Sequence, residues 1–170
     1  DLEATYEGIY RDIVAKVESL NLAPYNLESY KKAGVEIDEF EQGREQALVG
    51  IFKSRYLKRF ESSAEAFRIS VRRALEFQRA FMASILDGRI LRSTDFQKIL
   101  RYLESEEEED DATVTSLEEQ LSESEEAKAV LGALEVVDPA SYDLQKLYKA
   151  VEHDVDALTE IWYQVKDIGL

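Results

Sequence analysis

YDLQKLYKAVEHDVDALTEIWYQVKDI, residues 142–168, sets the fold class. Leu144, Tyr148, Val151, Val155, Leu158, Trp162 and Val165 recur at alternating steps of four and three. That spacing puts one apolar seam on a helix across three heptads, the pattern of a bundle or coiled-coil face. A helix with one apolar seam needs other helices to cover it. The rest of the chain supplies them.

Upstream, Leu2, Tyr6, Ile9, Ile13, Val17 and Leu20 repeat at the same steps and predict a helix over 2–20. Asn21 is a stop, and Pro24 in Leu22-Ala23-Pro24-Tyr25 marks a break. A short helical turn is expected over 27–32, ended by Ala33-Gly34. Asp38, with Glu41 three residues on, caps a long helix predicted over 39–60, with Ala47, Leu48, Ile51, Phe52, Leu57 and Phe60 inward. Gly43 and Gly50 inside it suggest close helix packing or a bend. Ser62-Ser63-Ala64-Glu65 reads as a capping box for a helix running to Leu86, with Phe67, Val71, Ala74, Leu75, Phe81, Met82 and Ile85 buried and Asp87-Gly88 as its end.

Residues 89–94 read as a loop, and Thr94 caps a short helix over 95–103. The acidic run 104–113 reads as an exposed linker, since like charges repel and stay solvated. Short helices are expected from Ser116 and over 124–135, followed by a turn at Asp138-Pro139. No segment alternates with period two, so no sheet is expected. The expectation is an all-α antiparallel helical bundle with long first, middle and last helices joined by short ones. It forms a single helical domain over 1–170, cut from a larger protein.

Composition removes several classes of function. The 170 residues contain no Cys and one His, which excludes disulfide frameworks, thiolate sites and poly-His metal centres. No apolar run approaches the ~20 residues of a membrane span, and no signal-peptide pattern is present, so a cytoplasmic protein is expected. There is no G-x-x-x-x-G-K-[ST], because Gly50, Lys53 and Ser54 have the wrong spacing. The Glu-x-x-His of di-iron bundles is absent, since Ala150 lies three before His153. Glu152, Asp154 and Asp156 surround His153 and could hold a cation only weakly. On a helix Glu152 and Asp156 share a face, and Asp154 points elsewhere. No catalytic residue and no metal ligand is assigned, and no cofactor is expected in this chain itself.

The net charge of −15 is segregated. Residues 53–101 carry 12 basic and 5 acidic side chains, whereas residues 102–126 carry 12 acidic and no basic ones. Lys53, Arg55, Lys58 and Arg59 are followed by Arg68, Arg72, Arg73 and Arg79. At 100° per residue, Arg68, Arg72 and Arg79 fall within about 40° of one another. Two readings stand side by side. The strip contacts phosphates, for which guanidinium forks are suited. Or it pairs at salt-bridge spacing with Glu65 and Glu76 on its own helix.

Leu57-Lys58-Arg59-Phe60-Glu61-Ser62-Ser63-Ala64-Glu65-Ala66-Phe67-Arg68 resembles the L-K-R-x-E-S-S-x-x-A-F segment of large bacterial and archaeal SNF2-type helicase-like proteins. Some of those also carry a phospholipase-D-like domain or belong to phage-defence systems. Leu22–Tyr30 and the helix with Asp154, Leu158 and Ile161 also look like the flanking helices of that family. The resemblance implies a helical accessory element between two ATPase lobes. Its partners would be duplex DNA and those lobes, with ATP and Mg used by the parent protein rather than by this segment. Lys58, Arg59, Arg68, Arg72 and Arg79 are then the candidate nucleic-acid contacts. The acidic run 104–111 departs from a DNA-binding expectation and would have to face away from phosphate or compete with it. The alternatives are a free-standing acidic protein that mimics DNA toward a basic partner, and a carboxylate–metal catalytic bundle.

Overall fold

The computed structural model describes residues 2–91, 129, 130 and 132–166, with side chains from Glu7 onward. The segments predicted at 95–103, 104–113 and 116–119, and half of 124–135, lie outside the described residues. Helix α1 spans Leu2–Glu18, α2 Glu39–Ser62, α3 Ala64–Leu86 and α4 Leu144–Val165. Short 3-10 turns occupy Ala23–Tyr25, Leu27–Tyr30 and Pro139–Ser141. The chain is an all-α antiparallel bundle.

Cross-helix contacts give the directions. Tyr10 on α1 stacks on Phe60 of α2 at 5.1 Å, while Lys53 Nζ donates to Glu18 O at 2.7 Å, so α1 and α2 run antiparallel. Gln164 Nε2 donates to Asp12 Oδ2 at 2.8 Å and His153 lies beside Ser19, so α1 and α4 are antiparallel too. Arg68 reaches Val165 and Gln78 reaches Asp154, which sets α3 against α4. The start of α1 and the end of α4 therefore lie at the end of the bundle that holds the α2–α3 turn.

That turn is one residue long. Ser63 is extended (φ −160°, ψ 114°), its Oγ accepts the Ala66 N–H at 3.1 Å, and its own N–H donates to Arg59 O at 2.8 Å. The cap is Ser63, not Ser62 as the S-x-x-E spacing suggests. Ser62 is still helical, and its hydroxyl donates back to Lys58 O. A capping side chain must sit on a residue that has left helical φ/ψ, and only Ser63 has. At the start of α2, Asp38 Oδ1 accepts Glu41 N–H as expected, but the Glu41 carboxylate turns to Arg44 at 2.7 Å instead of closing a box. In the same way Asp143 caps α4 through Lys146 N–H, so that helix starts at Leu144.

The core is an aromatic ladder inside aliphatic walls. Tyr25 stacks on Phe52 at 4.5 Å and on Phe77 at 5.8 Å, and Phe60 meets Phe67 across the turn at 4.6 Å. Two sequence expectations fail here. The buried row of α2 is Glu45, Leu48, Phe52 and Tyr56, while Ala47 and Ile51 face solvent. α2 rotates to place its larger rings inward, because a buried aromatic removes more apolar area than Ala. On α3, Phe77 and Gln78 are buried and Met82 is only half so. On α4, Leu147 and Ile161 are buried beside the predicted seam, whereas Leu144, Tyr148 and Trp162 are half-buried. A helix covered by both α1 and α3 buries a wider stripe than a two-stranded seam.

The close-packing reading of the two glycines also fails. A Cβ at Gly43 or Gly50 would meet nothing within 4 Å, and both positions are exposed. Finally, the expected absence of sheet is corrected by two short strands. β1 (Ile90–Leu91) pairs antiparallel with β2 (Val136–Val137), after a turn in which Gly88 takes φ 78°. Two residues per strand are too few to show alternation, but β-branched Ile90, Val136 and Val137 suit the pairing.

Candidate nucleic-acid interface

The candidate cations come from two helices in different surroundings. On α2, Lys58 is exposed and Arg59 half-buried. On α3, which packs on both α2 and α4, Arg68, Arg72 and Arg79 are all half-buried. Arg68 Nη1 lies 3.5 Å from the Val165 carbonyl at the C-terminal end of α4, where the helix dipole favours a cation. Arg72 Nη1 binds Glu76 Oε2 at 2.9 Å, the i,i+4 pairing that the spacing allows. The neighbouring Arg73 is 4% exposed and part of the interior. The five residues thus do not form one open strip. The α3 arginines do share an angular sector, on which Arg68 reaches the end of α4 and Arg72 pairs along its own helix.

The face of α2 that carries Lys58 also carries Arg55, Ser54 and Ser62, all exposed. Arg55 lies three residues before Lys58, about 60° around the helix. Arg55 belongs to the basic run in the sequence, but angular clustering favours α3 and passes over it.

The polar residue with the most demanding environment is Asp154, which is 0% exposed. Its Oδ1 accepts the Asn21 N–H at 2.8 Å; its Oδ2 accepts the Leu22 N–H at 2.7 Å and Gln78 Nε2 at 3.1 Å. Burial pushes its carboxyl above the ordinary value of 3.8, opposed by the two backbone donors, the neighbouring His153 and Gln78. Leu22 is held at φ 48°, in the left-handed region that a branched side chain rarely adopts. Asp154 therefore acts as a clasp, pinning the turn after α1 to α3 and α4. Glu152 and Asp156 remain outside, so the three carboxylates do not converge. Among the described residues no group of three or more His, Cys, Asp or Glu is placed to hold a metal ion.

A second acidic group lies at the far end of the bundle, in a cleft of about 380 Å³ lined in part by Glu28, Asp38, Glu41 and Glu45. Three of these carboxylates serve the backbone, Asp38 through the Glu41 N–H already described. Glu45 Oε1 accepts Glu28 N–H at 2.9 Å, and Glu28 Oε1 accepts Asp38 N–H at 3.0 Å and pairs with Lys31 at 2.9 Å.

Gly50, Lys53 and Ser54 all lie within continuous α2, with Lys53 bound to Glu18 O. A helix interior offers no free N–H groups to a triphosphate, so these residues do not fit ATP. No described helix is long and apolar enough to cross a membrane. No protein-family profile, curated protein or solved structure matches the chain.

Proposed function

We propose that this chain is the helical accessory element of an SNF2-type ATP-dependent DNA translocase or helicase-like protein, lying between its two ATPase lobes. It contacts duplex DNA or couples the movement of the lobes. The observation that carries this reading is where the resembling string falls. Leu57–Arg68 spans the end of α2, the one-residue turn at Ser63 and the start of α3. Ser63 is used by the cap, Ser62 by its bond back to Lys58 O, Phe60 and Phe67 by the core, and Glu61 by Tyr10, which donates to it at 3.0 Å. Lys58 is exposed, and Arg59 and Arg68 are part-exposed. A second feature agrees. The start of α1 and the end of α4 lie at this same end, an arrangement that suits an element inserted between two lobes. ATP and Mg belong to the lobes in this reading.

The test is to read the source open reading frame on both sides of the segment. A P-loop and an Asp-Glu box upstream with helicase motifs downstream would support the proposal. Start and stop codons close to the two ends would sink it and leave the acidic partner-binding protein as the reading.

A further inference from the structure

Helix α2 is apolar on two sides. Its inner row, Glu45, Leu48, Phe52 and Tyr56, is buried in the bundle. On the opposite side, Phe40, Gly43, Ala47, Gly50, Ile51 and Lys58 fall within about 60° of the Ala47 direction at 100° per residue, and all six are exposed. Phe40 is 83% exposed and Ile51 49%, so the two largest apolar side chains of this face stand in water. From Phe40 to Lys58 the face runs roughly 27 Å along the helix. Its charge changes sign from end to end. Glu39 lies at the start and Lys58 near the end, both exposed, and neither makes a side-chain hydrogen bond or ion pair among the described residues. The other charges on and beside the face are engaged within the chain: Arg44 pairs with Glu41, Glu61 accepts from Tyr10, and Arg55 has a partner of its own.

We infer that this outward face of α2 docks on the same face of a second copy of the chain, the two α2 helices lying antiparallel about a two-fold axis between Ala47 and Gly50. The charges select the occupant. In the antiparallel arrangement Glu39 of each copy lies toward Lys58 of the other, so the opposite charges meet twice. A parallel arrangement sets Glu39 against Glu39 and Lys58 against Lys58, and like charges disfavour it. Centred there, Ala47 of one copy lies over Gly50 of the other, and Phe40 and Ile51 of both copies leave water. The two glycines, which nothing in the chain approaches, then meet a helix of the second copy. A contact that uses one patch twice closes at two copies. A face about 27 Å long and about 10 Å wide is smaller than the roughly 800 Å² that each partner gives to a standard interface, so the dimer is weak and concentration-dependent. The inference does not rest on the proposed function.

The experiment is sedimentation velocity of the whole chain from about 5 to about 500 μM, where the parent chain should pass from monomer to dimer with a Kd on the order of 10–100 μM. The variants are Phe40→Glu, Ala47→Arg, Lys58→Glu, the swapped pair Glu39→Lys with Lys58→Glu, and Lys149→Glu on the exposed face of α4 as a control. All of these sites are exposed, and thermal melting at low concentration checks that each variant folds. Phe40→Glu and Ala47→Arg should each weaken association by roughly tenfold or more. Lys58→Glu should weaken it by about threefold or more, the swapped pair should restore it, and Lys149→Glu should leave it within about twofold. Because the chain has no Cys, a single introduced one reports on direction. Ala47→Cys, close to the two-fold axis, should form a disulfide-linked dimer under mild oxidation, and Lys58→Cys should not.

A parent chain that stays monomeric over the whole range would overturn the inference outright. Dimers indifferent to Phe40→Glu and Ala47→Arg would place the contact elsewhere and overturn the face. Linking through Lys58→Cys as readily as through Ala47→Cys, or a swapped pair no better than Lys58→Glu alone, would overturn the antiparallel arrangement.

Discussion

The charges at Asp154 and at Lys58 differ in one physical respect, which is access to water. Asp154 sits at 0% exposure with three N–H donors on its two oxygens, two from the backbone after α1 and one from a side chain of α3. Its role is complete within the chain. Lys58 stands on a helix face open to solvent. In this bundle a charge inside is architectural, and a charge outside can be reached by a partner. Glu28, Glu45 and Arg72 fall on the architectural side with Asp154.

The largest expected effect tests the architectural side. Asp154→Ala orphans the Asn21 and Leu22 N–H groups and the Gln78 amide and leaves a void, so it should destabilise the fold by about 3–5 kcal/mol. Urea unfolding measures this, and a loss under about 1 kcal/mol would undo the contrast. Acid tests the same clasp more finely. The folded-state pKa of Asp154 is raised, so its contribution to stability is greatest below the ordinary carboxylate value of 3.8 and declines as pH rises through the folded value. Asp154→Asn does not titrate. Its deficit against the parent chain should therefore be larger near pH 4 than at pH 7, as read from melting temperatures at both. Arg72→Met strips an ion-pair partner from Glu76, whose side chain is 6% exposed, so it should cost about 1–3 kcal/mol by thermal melting.

Smaller effects separate residues that look alike in sequence. Ser63→Ala should cost about 1 kcal/mol through loss of the α3 cap. Ser62→Ala, whose hydroxyl only bonds back to Lys58 O, should change stability by no more than about 0.5 kcal/mol. Chemical denaturation of the two variants side by side decides between them. Gly50→Ala, with open space where the methyl would go, should stabilise α2 by up to about 1 kcal/mol. A destabilisation would restore the close-packing reading of that glycine.

Helix positions are legible in the sequence because local rules govern them. The α4 seam, the cap at Asp38 and the stop at Asp87-Gly88 each depend on residues within four positions of one another. The strands at Ile90–Leu91 and Val136–Val137 are not legible, because their pairing joins segments 45 or more residues apart. Arg55 is written in the basic run, but nothing local distinguishes it from Arg72; the packing of the helices does.

Helicity, the approximate limits of the long helices and the segregation of basic from acidic side chains follow from the amino-acid order alone. Periodicity and capping act through short-range geometry, and charge is simply counted. Three outcomes had to wait for the packed bundle: which face of α2 turns outward, the choice of Ser63 over Ser62 as the cap of α3, and the place of Asp154 at the centre, holding the turn after α1. They depend on which helices cover one another. Burial, and the hydrogen bonds that must compensate for it, are set by neighbours distant in sequence.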